Sequence, residues 1–286
     1  MIRRKKFHLH LPSRSLVLGE RTLIMGILNV TPDSFSDGGE FLEPESAVAR
    51  ALEMERAGAD ILDIGGESTR PGSKPLPADE ELSRVLAVLR SLRGKLKIPI
   101  SIDTQKGEVA RAAISAGAEI VNDISALRFD NQLARVVVQS KVGVILMHMR
   151  GKPPTMQKGP FARDVMHDAT KGLANALRRA RQEGIARSQI LLDPGIGFGK
   201  NYEQNFEILA RLPEMARLGY PIVVGTSRKA FIGAALHNAP ADERVWGTAA
   251  TVAASILRGA HIVRVHDVEE MAQVARIADR VAAVSS

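Results

Sequence analysis

Residues 98–123 read IPISIDTQKGEVARAAISAGAEIVND and contain one complete unit of a repeating architecture. Ile98 to Ile102 is a short apolar, β-branched run, and the chain turns polar at Asp103. Such a run predicts a buried strand. Glu108 to Ser115 then carries apolar residues at three- and four-residue spacings, the period of a helix with one buried face. Gly117, in the tripeptide Ala116-Gly117-Ala118, suits the left-handed turn that ends a helix. A second strand, Ile120 to Val121, stops at Asn122.

The same unit recurs in both directions. Strand-like runs lie at Leu23 to Leu28, Ile61 to Ile64, Val142 to Met147, Ile190 to Leu192, Ile222 to Val224 and Ile262 to Val265. Helical periodicity covers Pro44 to Arg56, Ala78 to Leu92, Leu133 to Gln139, Phe161 to Gln182, Gln204 to Arg217, Glu243 to Leu257 and Val268 to Ala283. The helix-glycine-strand junction repeats at Gly58 and Gly259, and Gly184 and Gly219 occupy similar places. Eight strands alternating with eight helices predict an α/β protein with a (β/α)8 TIM barrel. A doubly wound open sheet is the competing fold. Phe7 to Leu11 and Ser15 to Leu18 flank Pro12-Ser13-Arg14 and predict an N-terminal β-hairpin that plugs the barrel bottom. We expect a single domain over residues 1–286, with 1–21 as the hairpin segment.

Composition narrows the chemistry. The chain has 286 residues, 45% of them apolar and none of them cysteine. Disulfides, thiolate metal sites and cysteine nucleophiles are excluded, and a reducing compartment is permitted. The longest apolar runs fall short of the ~18–20 residues that span a bilayer, and the basic start, Met1 to Lys6, leads into no signal-type segment. A soluble, cytoplasmic protein is expected, without membrane partners. The 39 Lys and Arg outnumber the 32 Asp and Glu, giving +7. With only 4% aromatic residues the stacking platforms of single-strand nucleic-acid binders are not expected, and a small anionic substrate fits better. Arg3, Arg4, Lys5 and Lys6 read as a solvated terminus.

Several strands end on a polar residue: Asn29, Asp103, Asn122, His148, Asp193 and the pair Arg264 and His266. In a barrel these ends converge on one face. Alternate strand residues share a side, so Ile262, Arg264 and His266 point inward together while Val263 and Val265 face the helices. Arg264 and His266 suit phosphate oxygens. Asp103, Asn122 and Asp193 suit a flat heterocycle bearing N–H donors and a carbonyl. Thr226 to Lys229 is read as the start of the helix after the seventh strand, where backbone N–H groups and the Ser227 hydroxyl would hold an anion and Lys229 would add charge. Arg228 could serve there or in a structural ion pair. Gly195 to Lys200 lacks Walker spacing and reads as a turn, with Phe198 placed to stack on a ligand. His148 is read as supporting the site rather than as its base. Two long connections, Val30 to Phe41 and Gly66 to Pro77, are candidate lids.

Two segments then carry a family resemblance. Residues 26–39, GILNVTPDSFSDGG, and 63–72, DIGGESTRPG, resemble the two signatures of the dihydropteroate synthases. The likeness continues through Ser101 to Thr104, Asn122-Asp123, Leu146 to Met149, Asp193 to Gly195, Ser227 to Lys229, Gly247 to Ala250 and Arg264 to Asp267. It implies a transferase of folate biosynthesis that joins (7,8-dihydropterin-6-yl)methyl diphosphate to 4-aminobenzoate and releases diphosphate. It further implies that Asp103, Asn122, Asp193 and Lys229 recognise the pterin, and that Asn29, Arg264 and His266 hold the diphosphate, with Asn29 also near Mg2+. Ser227 would receive the aminobenzoate carboxylate. Asp33, Ser34 and Phe35 of the first loop and Thr69, Arg70 and Pro71 of the second would close over the site. A homodimer is implied as well. The alternatives are a pterin-dependent methyltransferase barrel, an inactive pterin-binding paralogue, and a non-catalytic or nucleic-acid-associated barrel.

Overall fold

A computed structural model of the chain describes residues 4–30, 44–68, 72–73 and 75–284. The hairpin pairs β1 (Phe7–His10) with β2 (Ser15–Leu18) in antiparallel register. The strands that follow are β3 (Leu23–Asn29), β4 (Ile61–Gly65), β5 (Ile100–Asp103), β6 (Ala118–Asp123), β7 (Gly143–Met147), β8 (Ile190–Asp193), β9 (Val223–Val224) and β10 (Ile262–Val265). These eight pair in parallel in the order β8-β7-β6-β5-β4-β3-β10-β9. A parallel bridge between Leu192 and Ile222 joins the two ends, and Leu192 N–H donates to the Pro221 carbonyl at 2.9 Å. The sheet is therefore a closed barrel and not the doubly wound alternative.

The described helices are α1 (Pro44–Arg56), α2 (Ala78–Leu92), α3 (Gly107–Ser115), α4 (Asn131–Ser140), α5 (Val165–Gln182), α6 (Tyr202–Arg211), α7 (Ala230–Ala235), α8 (Val245–Leu257) and α9 (Val268–Val284). Two boundaries differ markedly from the sequence reading, and one short helix, α7, was not read at all. Helix α5 starts at Val165, not Phe161, because the Asp164 carboxylate caps it by accepting from Met166 and His167 N–H at 3.0 Å. The expected helix from Gln204 to Arg217 stops as α-helix at Arg211 and continues as a 3-10 turn over Leu212–Leu218. Pro213 has no N–H to give the α-helical ladder. The short α7 follows no apolar periodicity long enough to be read. Among the described residues no helix is long and apolar enough to cross a membrane.

Strand alternation sorts the core into two compartments. Leu23, Met25, Ile61, Ile120, Ile145, Leu191, Val223 and Ile262 fill the barrel interior together with Leu9, Leu11 and Leu18 of the hairpin segment. The hairpin is thus the bottom plug that the sequence suggested. Ile64, Ile102, Val121, Val263 and Val265 face outward into the larger core shared with the helices. Truncating one of these buried side chains to alanine would cost roughly 2–5 kcal/mol.

Two residues above the plug the interior turns polar: Asp63 follows Ile61, Asn122 follows Ile120, Asp193 follows Leu191 and Arg264 follows Ile262. Each pair shares a face because the strand period is two. The apolar half of the barrel holds the fold, and the polar half opens at the strand C-termini.

The basic terminus is not simply solvated. Arg4 is sealed under the barrel rim, where it donates to Thr22 Oγ1 at 2.6 Å and the Ala260 carbonyl at 3.1 Å, and pairs with Asp279 of α9. Asp279 also accepts from Thr22 N–H at 2.7 Å. Arg4 therefore ties the chain start to the last helix, a long-range partnership that local sequence does not display.

Candidate active site

Four inward-facing side chains of the barrel strands meet in one hydrogen-bonded network. Arg264 of β10 donates Nε to Asp63 Oδ2 at 2.6 Å and Nη2 to Asp103 Oδ2 at 2.8 Å. Asn122 Nδ2 donates to the same Asp63 oxygen at 3.1 Å. Asp63 is fully buried, and Asp103 and Asn122 nearly so. The network spans β4, β5, β6 and β10, as convergence at a barrel mouth requires.

Asp63 was missed in the sequence, where it sits inside an apolar run. Its place two residues after Ile61 and two before Gly65 could have revealed it, since all three share the inward face.

The network leaves acceptors in reserve. Asp103 Oδ1, Asp63 Oδ1 and Ser101 Oγ are buried and, among the described residues, lack a hydrogen-bond partner. A buried carboxylate oxygen without a donor is costly, so these atoms suit a ligand that brings N–H groups. Burial pushes the Asp103 carboxyl up to about 7, against the pull of the Arg264 guanidinium. Asp193 is also raised by burial, against Lys229, and its Oδ1 accepts from Gly195 N–H at 2.6 Å.

An apolar patch adjoins these polar groups. Ile124, Met147, Met149 and Met156 cluster with the half-buried Phe198. Thioethers and an aromatic ring make an adaptable flat wall. Lys229 lies beside it, its Nζ 4.8 Å from the Phe198 ring centre and donating to the Ile196 carbonyl. Burial lowers the Lys229 pKa to about 8, while Asp193 and Asp103 pull it back up.

The segment after β9 corrects one expectation. Helix α7 begins only at Ala230, so residues 226–229 are a turn and not a helix start. Arg228 adopts a left-handed φ of 58°, which a helix cannot continue through. The N–H groups expected to cradle an anion are already used: Arg228 donates to Thr248 Oγ1 at 3.0 Å and Lys229 to the Thr226 carbonyl at 3.2 Å. Ser227 remains at the site, its Oγ accepting from His266 N–H at 3.1 Å and lying 2.9 Å from His266 Nδ1. Arg228 takes the structural role, paired with Asp267.

His148 is buried behind the wall, with Nδ1 3.1 Å from Lys200 Nζ and Nε2 3.5 Å from Asp168. Burial and the Lys200 charge hold its pKa down at about 4, so it is neutral and supports the site, as expected from sequence. Asn29 ends β3 on the same mouth. The remaining predicted residues, Asp33, Ser34, Phe35, Thr69, Arg70 and Pro71, lie outside the described residues. At the described end of the second connection, Glu67 accepts from Leu76 N–H at 3.1 Å and from Lys106 at 2.7 Å.

The arrangement combines a carboxylate and amide edge, a flat apolar wall and a cationic side formed by Arg264, His266 and Lys229. It can bind a flat heterocycle and stabilise negative charge leaving from it.

Comparison with known proteins agrees with this geometry. Residues 25–266 match the family model described as pterin binding enzyme. The chain is 51% identical over 261 residues to a dihydropteroate synthase of Synechocystis, covering 91% of this chain and 90% of that one. Among solved structures, the dihydropteroate synthase of Yersinia pestis with a sulfonamide drug complex superposes with a TM-score of 0.91 at 40% identity, covering 97% and 100% of the two chains. That of Burkholderia cenocepacia, complexed with 7,8-dihydropteroate, gives a TM-score of 0.87 at 42% identity and 98% coverage of each.

Proposed function

The chain belongs to the dihydropteroate synthases among the pterin-binding enzymes, and from that premise we infer that it transfers the (7,8-dihydropterin-6-yl)methyl group from its diphosphate to 4-aminobenzoate, yielding 7,8-dihydropteroate and diphosphate. The observation that carries this reading is the buried Asp103 carboxylate, one oxygen held by Arg264 and the other lacking a partner among the described residues, at a strand-end mouth lined by Asn122 and Asp193.

The residues divide the work as follows. Asp103, Asn122 and Asp193 accept from and donate to the pterin edge, and Lys229 meets its carbonyl side while Phe198 covers its face. Arg264 commits Nε and Nη2 to Asp63 and Asp103, which leaves Nη1 for the diphosphate, and His266 assists it. Loss of diphosphate leaves a resonance-stabilised pterin cation, which the arylamine attacks. Ionised Asp103 stabilises that cation, and Arg264 and His266 stabilise the departing anion. Ser227 takes the aminobenzoate carboxylate. The roles of Thr69, Arg70 and Pro71 at the aminobenzoate, and of Asp33, Ser34 and Phe35 over the pocket, rest on the resemblance of their two signatures.

Magnesium fits the donor set at the mouth. A Cβ at Gly65 would come within 3.8 Å of Asn29 Oδ1, so the glycine leaves that amide oxygen beside bare backbone, while Asp103 Oδ2, equally near, is held by Arg264. Magnesium favours one or two protein oxygens together with substrate phosphates. Asn29 would hold it through its amide oxygen. When bound, the ion supplies positive charge to the diphosphate.

A homodimer is supported by exposed apolar residues on the last helices: Trp246 is 79% and Ile277 68% exposed. A cytoplasmic location is permitted by the cysteine-free composition.

The test is dihydropteroate formation by the purified chain with pterin diphosphate, 4-aminobenzoate and Mg2+, followed by chromatography. Product that requires both substrates is expected. Pterin binding without product would instead identify an inactive paralogue.

A further inference from the structure

Lys200 is among the largest fully buried side chains of the described residues, 2% exposed, and no role in substrate contact accounts for it. It closes the turn that follows β8. Its Nζ donates to His148 Nδ1 at 3.1 Å, the His148 carbonyl at 3.3 Å and the Phe198 carbonyl at 3.0 Å. Three ammonium protons thus meet three acceptors. Among the described residues no carboxylate pairs with it. An ammonium buried without a paired carboxylate is unfavourable, and burial draws the Lys200 pKa down to about 7, with Asp193 opposing. A methionine would fill that space more favourably, so the charge serves something other than packing.

Its three bonds identify what it serves. The turn lies flush against the backbone at the end of β7: a Cβ on Gly195 would stand 1.8 Å from the His148 carbonyl oxygen, and one on Gly199 would stand 2.1 Å from that of Arg150. Lys200 joins the two segments at their seam. The same turn also meets the pocket cation Lys229, through the Ile196 carbonyl, which accepts from Nζ, and the Phe198 ring. With Lys200 charged, and so only donating, His148 Nδ1 is the acceptor, which assigns the ring proton to Nε2, facing Asp168.

We propose that Lys200 is a positioning residue for pterin recognition, clamping the turn after β8 to the end of β7 so that Phe198 and Lys229 are held in register with the heterocycle. This rests on the synthase reading above. Removing the clamp leaves the His148 Nδ1 and Phe198 carbonyl acceptors buried without a donor, and the turn relaxes to rehydrate them. Pterin contacts suffer, whereas the aminobenzoate contacts assigned to other loops do not.

The experiment compares the full-length wild type with Lys200→Met and Gln157→Ala, measuring both Michaelis constants, kcat and the melting temperature. Gln157 is exposed and braces the same turn from outside through the Gly197 carbonyl at 2.6 Å, so its variant tests the idea even if Lys200→Met fails to fold. For Lys200→Met, assayed well below its melting temperature, KM for pterin diphosphate should rise about tenfold, in line with loss of a charged hydrogen bond. KM for 4-aminobenzoate should change less than about twofold by the same measure. Gln157→Ala should raise the pterin KM alone, by roughly two- to threefold. A lowered melting temperature with unchanged KM values, or an equal rise in both, would overturn the proposal and leave Lys200 purely structural. Absence of turnover in the wild type would instead defeat the synthase reading.

Discussion

Arg264 and Asp103 stand 161 residues apart in sequence and 2.8 Å apart at the barrel mouth, where the guanidinium holds one carboxylate oxygen and leaves the other to the pocket. The pairing fixes the carboxylate's direction before substrate arrives, which is how a site stabilises developing charge without reorganising.

Replacing Asp103 with Asn keeps the shape and removes the charge. Arg264 retains Asp63, so the fold should survive with a melting temperature close to that of the wild type. Turnover should drop by roughly 10²–10³-fold. Steady-state kinetics beside a thermal melt would check this, and near-normal kcat in Asp103→Asn would remove the carboxylate from the proposed mechanism.

Asp63 should behave differently, because it anchors two other residues of the site. One of its oxygens serves both Arg264 and Asn122, and its side chain is fully buried. Asp63→Ala leaves a half-buried guanidinium with Asp103 alone and Asn122 without its acceptor, and should destabilise the chain by about 1–3 kcal/mol, measured by urea unfolding. Activity should fall with it, since Arg264 and Asn122 both lose their anchor.

His261 gives stability a pH dependence that can be isolated. It is buried, accepts from Ile222 N–H at 3.1 Å through Nδ1, and lies 3.0 Å from the Lys5 carbonyl through Nε2. Burial lowers its pKa from 6.5 to about 4. Between those values the unfolded chain binds a proton that the folded chain refuses. Its contribution is therefore present above about pH 6.5 and is lost as pH falls toward 4, up to about 3 kcal/mol in all. Buried carboxylates with raised pKa, Asp103 among them, act with the opposite sign. The informative quantity is thus the difference in unfolding free energy between wild type and His261→Gln, which should shrink on acidification from pH 7 to 4.5. A difference independent of pH would refute it.

The exposed face of the last helices offers a test of assembly. Trp246 and Ile277 are large, apolar and open to solvent. If they meet a second copy, Ile277→Asp should convert a dimer to a monomer in sedimentation, since a buried unpaired carboxylate opposes association. A wild type that sediments as a monomer would dispose of the dimer outright.

Much of the site was legible because its signals are local. The polar residues Asp103, Asn122, Asp193 and Arg264 each follow an inward apolar residue or close a strand, and alternation alone assigns their face. The turn at residues 226–229 was misread because one left-handed residue, Arg228, delays the helix, and nothing in Thr-Ser-Arg-Lys announces that φ. Arg4 looked like a loose basic terminus because two of its partners, Ala260 and Asp279, come from the other end of the chain.

The sequence by itself determined the succession of strands and helices, the inward face of each strand and therefore the closed barrel with its reactive end. Strand period, helix period and helix-ending glycines act between residues close in the chain. Only the tertiary structure decided which polar groups answer one another: Arg264 with Asp63 and Asp103, Lys200 with His148, Arg228 with Asp267. Those pairings depend on the register around the closed sheet, which sums the stagger of all eight strands, and no local stretch of sequence contains that sum.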